Sequence, residues 1–114
     1  MATDQATADY IVEQLLRLPD VYARKMFGEY ALYCNNRVVA LICDNTLFVK
    51  ITPEGKNFVG KYYQEGLAYP KAKISMVIDE DRIEDRDWLQ GLIQITAEHL
   101  PIIIKKGNSD DKKI

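Results

Sequence analysis

The sequence predicts an α+β domain in which an antiparallel meander sheet is flanked by N- and C-terminal helices. Three observations predict it. Apolar residues recur at helical spacing near both ends of the chain. Between Tyr30 and Ile51 the pattern changes to short apolar and aromatic runs separated by Asn/Asp pairs. A length of 114 residues, 47% hydrophobic and 28% charged, suits one globular core and leaves no room for a second.

The first element is a helix over Thr7 to Leu18. Ala8, Ile11, Val12, Leu15 and Leu18 fall on one face, Thr7 is the expected N-cap, Asp9 suits the first turn, and Pro19 ends the pattern. Val21 to Ile51 reads as strands. Tyr30–Cys34, Val38–Cys43 and Leu47–Ile51 are separated by Asn35-Asn36 and Asp44-Asn45. Asn and Asp tolerate the left-handed backbone of two-residue hairpins, so the strands form a meander. Val38–Cys43 is apolar throughout and is placed centrally, with both faces covered. Thr52-Pro-Glu-Gly reads as a turn, and Gly55 to Tyr63 as a short helix or irregular segment with Phe58, Val59 and Tyr62 inward. Gly66 to Ala72 is a loop and Lys73 to Asp79 a further strand. The last helix begins near Asp85, its expected N-cap. Trp88, Leu89, Leu92, Ile93, Thr96 and Leu100 form its buried face. Residues 1–106 are read as one domain and 107–114 as a flexible polar tail. With both helices on one face of the sheet, the other face keeps exposed Tyr, Phe and Val side chains. Such a face is a candidate subunit contact, so a homodimer is an expectation.

Net charge is −2. A dedicated nucleic-acid binder of this size usually carries a clear positive excess, which argues against that class. The charge is uneven: residues 17–73 carry nine bases and five acids, residues 74–98 two bases and seven acids. Two cysteines are too few for a secreted disulfide scaffold. In the expected register Cys34 and Cys43 lie about 20 Å apart, beyond disulfide reach. Met1 to Thr7 has neither a basic start nor an apolar stretch, and no run is long enough to span a membrane. A cytoplasmic protein with no membrane contact is the expectation.

Few groups suggest chemistry. His99 stands at a helix end, where a cation meets the negative end of the dipole. Metal-ligand spacing, a nucleophile elbow and a glycine-rich phosphate loop are all missing, so no cofactor, metal or catalytic residue is expected. The acidic segment 79–87 reads as a solvated loop running into a helix, with a cation or small-ligand site as its alternative. The most distinctive stretch is Ala23 to Tyr30. In one reading Gly28 allows a bulge or tight bend, Met26 and Phe27 fill core, and Arg24 and Lys25 stay solvated. In the other, Arg24, Lys25, Phe27, Gly28 and Tyr30 form a contact surface, because bases beside aromatics can grip phosphates and stack on nucleobases.

Arg24-Lys25-Met26-Phe27-Gly28-Glu29-Tyr30-Ala31-Leu32-Tyr33 resembles the opening signature of the TfoX/Sxy family's N-terminal domain. The likeness continues through Leu47–Ile51, Ala68–Lys73 and Asp85–Leu89. Lys71 stands where the family's loop usually has glycine. The resemblance implies a secretion-chaperone-like α+β fold. It also implies a regulator of DNA-uptake competence that assists a transcription activator through protein contacts and is not an enzyme. Full-length regulators of the family carry a further C-terminal domain, whereas this sequence is expected to stop after its last helix. Direct nucleic-acid binding through the basic segment 24–73 is the alternative.

Overall fold

The computed structural model describes residues 3–100. Helix α1, Gln5–Gln14, leads into four antiparallel strands: β1 (Val21–Met26), β2 (Glu29–Cys34), β3 (Arg37–Cys43) and β4 (Thr46–Val49). Helix α2 (Pro53–Val59) and a 3-10 turn follow. A two-residue strand, β5 (Glu65–Gly66), then leads to β6 (Ser75–Ile78). Two helices close the described chain, α3 (Glu80–Glu84) and α4 (Arg86–Glu98). The sheet has six strands in the order β1-β2-β3-β4-β6-β5, all pairings antiparallel. This is the expected α+β architecture with helices at both ends.

The meander follows from its turns. Met26 pairs with Glu29, Cys34 with Arg37 and Cys43 with Thr46, so each hairpin has a two-residue loop. Asn35-Asn36 and Asp44-Asn45 have positive φ throughout, 53° and 63°, then 52° and 58°. Short amide and carboxylate side chains accept that geometry. Leu32 pairs with Ala40 and Tyr33 with Val38, so Val39 is the extra residue of a bulge in β3 against β2.

Alternation assigns the faces. Leu32, Ile42, Leu47 and Met76 point to the helix side and are fully buried with Ile11, Leu15, Leu89, Leu92 and Ile93. Each such side chain contributes about 1.5–3 kcal/mol of burial. Val39, Ala40 and Ile42 of the central strand join this core, and Cys43 is buried on the reverse face. Leu41 on that reverse face is only half-buried, so the strand is less fully covered than its apolar run predicts.

Several boundaries differ from the sequence reading. α1 starts at Gln5, because Asn45 Oδ1 accepts the Asp4 amide at 2.9 Å and the Thr7 hydroxyl at 3.1 Å. Thr7 is therefore inside the helix and not its cap. The helix stops at Gln14, well before Pro19, because the chain turns at Leu15 to carry that buried side chain inward and reach β1. Thr52-Pro-Glu-Gly is the start of α2: Pro53 takes the first helical position and the Thr52 hydroxyl accepts the Gly55 amide at 2.9 Å. The acidic segment is not a loop but α3, capped by Asp79, which accepts the Arg82 amide at 3.0 Å. Asp85 caps α4 as expected, accepting the Trp88 amide at 3.2 Å. Strands β1 and β5 at the two sheet edges were not separated out by the pattern. The expected 107–114 tail and the end of the 1–106 domain lie outside the described residues.

Candidate functional site

The β1–β2 hairpin carries the residues the sequence singled out. Its loop is Phe27-Gly28, with φ of 52° and 82°. Gly28 makes the tight bend, as anticipated. Phe27 does not fill core: it is completely exposed, and Met26 is 43% exposed. The reason is geometric, since a two-residue loop projects beyond the last sheet pair and has no neighbouring layer to enter. The other two hairpins of the meander place Asn or Asp at the equivalent position. Phe27 thus holds a left-handed backbone that disfavours bulky residues.

Arg24 and Lys25 are both exposed, but they do not converge. Arg24 pairs with Ala31 on the helix-free face, and Lys25 pairs with Tyr30 on the helix side. Tyr30 is 8% exposed and belongs to the core, so it supports the hairpin from beneath. The helix-free face next to the tip carries Met26, Leu41 and Cys43. The segment after β5 returns over it, so Ala68 and Tyr69 join them in a hollow of about 480 Å³. Tyr22 and Tyr33 stack on the same face with ring centroids 4.8 Å apart. Tyr69, Leu67 and Ile74 remain more than half exposed.

The tip is held by contacts that the sequence did not reveal. The Thr3 hydroxyl donates to Glu29 Oε1 at 2.6 Å and accepts the Asn45 amide at 3.1 Å. Glu29 Oε1 also accepts the Asp44 amide at 3.1 Å, and the Thr3 amide donates to Gly28 O at 3.0 Å. The Thr3 hydroxyl, with desolvation opposing it and the Asp44 amide helping, holds the Glu29 carboxyl below its ordinary range. The segment before α1 therefore ties the Phe27-Gly28 and Asp44-Asn45 loops together. These partners come from three distant stretches of sequence, and no local motif links them.

The other chemical candidates are placed apart. Cys34 faces the core and Cys43 the opposite side. Both are free, and burial pushes both thiols up. His99 caps α4, its Nδ1 lying 2.9 Å from Ile95 O and its Nε2 3.8 Å from Glu54. Among the described residues no three His, Cys, Asp or Glu side chains gather as metal ligands. Asp79 and Asp85 cap helices, and Asp87 lies 3.5 Å from Arg17 at the surface. The basic segment is dispersed. Arg37 donates to Leu100 O at 2.9 Å, Lys56 lies over Tyr63 and Lys61 over Tyr62. No helix among the described residues is long and apolar enough to cross a membrane.

The chain is similar to a Spirochaeta aurantia protein described as an uncharacterized 12.7 kDa protein in the trpE 5′ region. The two are 40% identical over 101 residues, covering 89% of this chain and 86% of that protein. The profile of the TfoX N-terminal domain matches residues 13–100, which include the Phe27 hairpin, the whole sheet and α4. The chain belongs to the TfoX N-terminal domain family.

Proposed function

We propose that this domain is a non-enzymatic interaction module that presents the Phe27 tip and the adjoining helix-free face to a protein partner, a transcription activator in the role the family suggests. The exposure of Phe27 carries the reading. A large aromatic ring stands in full solvent on a strained loop where the two neighbouring hairpins use Asn or Asp. Local rules are broken chiefly where function needs them. An exposed aromatic anchor with apolar surroundings is also what a binding hot spot requires. Arg24 lies on the same face, Lys25 on the other side of the strand, Gly28 sets the bend and Tyr30 stiffens it.

Isothermal titration of the purified domain with the activator of its host tests this. Phe27→Asn keeps a residue suited to the loop and removes the ring. It is expected to weaken binding by about tenfold or more, the scale of a hot-spot residue. Equal affinity of Phe27→Asn and the parent would overturn the proposal. Exposed Tyr22, Met26 and Tyr69 favour a second reading in which a further copy of the chain covers the same face. Sedimentation velocity that stays monomeric at rising concentration would remove it.

A further inference from the structure

A second hollow opens beside the first, meeting it at Leu41 and Tyr69 and running away from the Phe27 tip. It is a groove of about 600 Å³ whose apolar lining includes Leu41, Phe48, Ile51, Tyr69, Ile74 and Leu100. Three lysines line it: Lys50, Lys71 and Lys73. No acidic side chain lines the groove, and among the described residues none of the three makes an ion pair. In a chain with a net charge of −2, three like charges around one apolar hollow are mutually repulsive. Lys50 reports this: burial lowers its pKa and the charge of Lys73 lowers it further. Lys71 adds a second, independent oddity. Its φ is 73°, the left-handed region, in a turn closed by the Ala72 amide on Tyr69 O at 3.0 Å. A lysine there carries backbone strain that the turn has to hold in place. An apolar floor with a few convergent polar groups, in the size range of small-molecule pockets, is what a ligand site looks like.

We propose that this groove binds a small organic anion with an apolar body, an aromatic or branched carboxylate or sulfonate. Its ring or alkyl part rests on Leu41, Phe48 and Ile51, and its acid group sits among Lys50, Lys71 and Lys73. The groove shares Leu41 and Tyr69 with the Phe27 hollow but none of its lysines, so the lysine substitutions test it apart from the Phe27 surface.

The probe is 8-anilinonaphthalene-1-sulfonate added to the full chain. It is followed by its fluorescence and by amide shifts in isotope-labelled protein. N-phenyl-1-naphthylamine serves as the control of similar shape that lacks the charge. The sulfonate is expected to shift the amides of Phe48, Ile51 and Ser75, which line the groove and not the Phe27 hollow. Lys71→Gly and Lys73→Gln are each expected to weaken it by about tenfold, the worth of one charged hydrogen bond. The uncharged control is expected to respond little to either change. Lys71→Gly also relaxes the turn, so it is expected to melt higher while binding less, which a purely structural lysine would not do. Phe27→Asn is expected to leave the sulfonate unaffected. Three results would overturn the proposal: affinity unchanged by both lysine substitutions, shifts confined to the Phe27 hollow, or binding that appears only after Ile102, Ile103 and Ile104 are changed to Ser. The last would mean that the groove belongs to the chain's own continuation beyond Leu100.

Discussion

At the scale of single residues, Phe27 and Glu29 oppose each other. Phe27 sits in a backbone region that costs a non-glycine residue about 1–2 kcal/mol, while Asn accepts it more readily. Phe27→Asn is therefore expected to raise Tm by several degrees, the shift that about 1 kcal/mol produces in a domain of this size. A melt by circular dichroism measures it, and an unchanged or lower Tm would mean the ring packs where the structure leaves it in solvent. Glu29 works the other way. Its folded pKa lies below the unfolded value, so its charged form stabilises the fold above the unfolded pKa and that contribution is lost as pH falls through the folded one. The wild type is expected to lose part of its stability between about pH 5 and 3, and Glu29→Gln to lose less over the same window. Parallel melts at both pH values make the comparison, and identical slopes would contradict it.

At the scale of elements, the joins matter more than the helices. Gln14 is buried at the end of α1. Its amide donates to Ile83 O at 2.9 Å, and its Oε1 accepts Arg86 Nε at 3.0 Å. Gln90 reaches back to Gln14 O at 3.0 Å. One side chain thus staples α1 to the α3–α4 junction. Gln14→Leu leaves the Ile83 carbonyl unpaired and is expected to cost about 1–3 kcal/mol in urea unfolding, with an unchanged m-value. A loss below a few tenths would show that water replaces the staple. Between α2 and α4 the contact is tighter still, since a Cβ at Gly91 would lie 2.9 Å from Phe58 Cζ. Gly91→Ala is expected to destabilise, and Phe58→Leu in the same chain to recover part of the loss. Additive losses would refute the clash. Neither join was legible in the sequence. Gln14 is a polar residue on the flank of α1's apolar face with no local sign of its partners, and Gly91 looks like a weak point in α4; both acquire meaning only from residues far away in the chain. By contrast, Asp85 as a cap and the Asn/Asp pairs as hairpin loops were readable, because their partners lie within three residues.

At the scale of the whole molecule, the helices and core occupy one side of the sheet, while exposed Tyr22 and Tyr69 stand on the other. Alternation within each strand made the two-sided character legible in advance. The position of the 67–74 segment was not, because a Pro- and Lys-containing loop has no period to read. This arrangement leaves β1 as a six-residue edge strand with Arg24 and Lys25 along it. Charged side chains on an open edge discourage pairing with other sheets. The opposite edge is only the two residues of β5. Replacing Arg24 and Lys25 together by Val is expected to leave the melting temperature within a few degrees while promoting aggregation, read by light scattering on standing. A clear solution would show that the edge is guarded by other means.

The latch at Thr3 has a practical corollary. Because the Thr3 amide bonds to the Gly28 carbonyl, anything joined upstream must leave the fold right beside the aromatic ring of Phe27. Affinity tags, fluorescent fusions or surface tethers placed at that end would crowd the hairpin and mimic a defective mutant, so labels for capture assays belong at the other terminus.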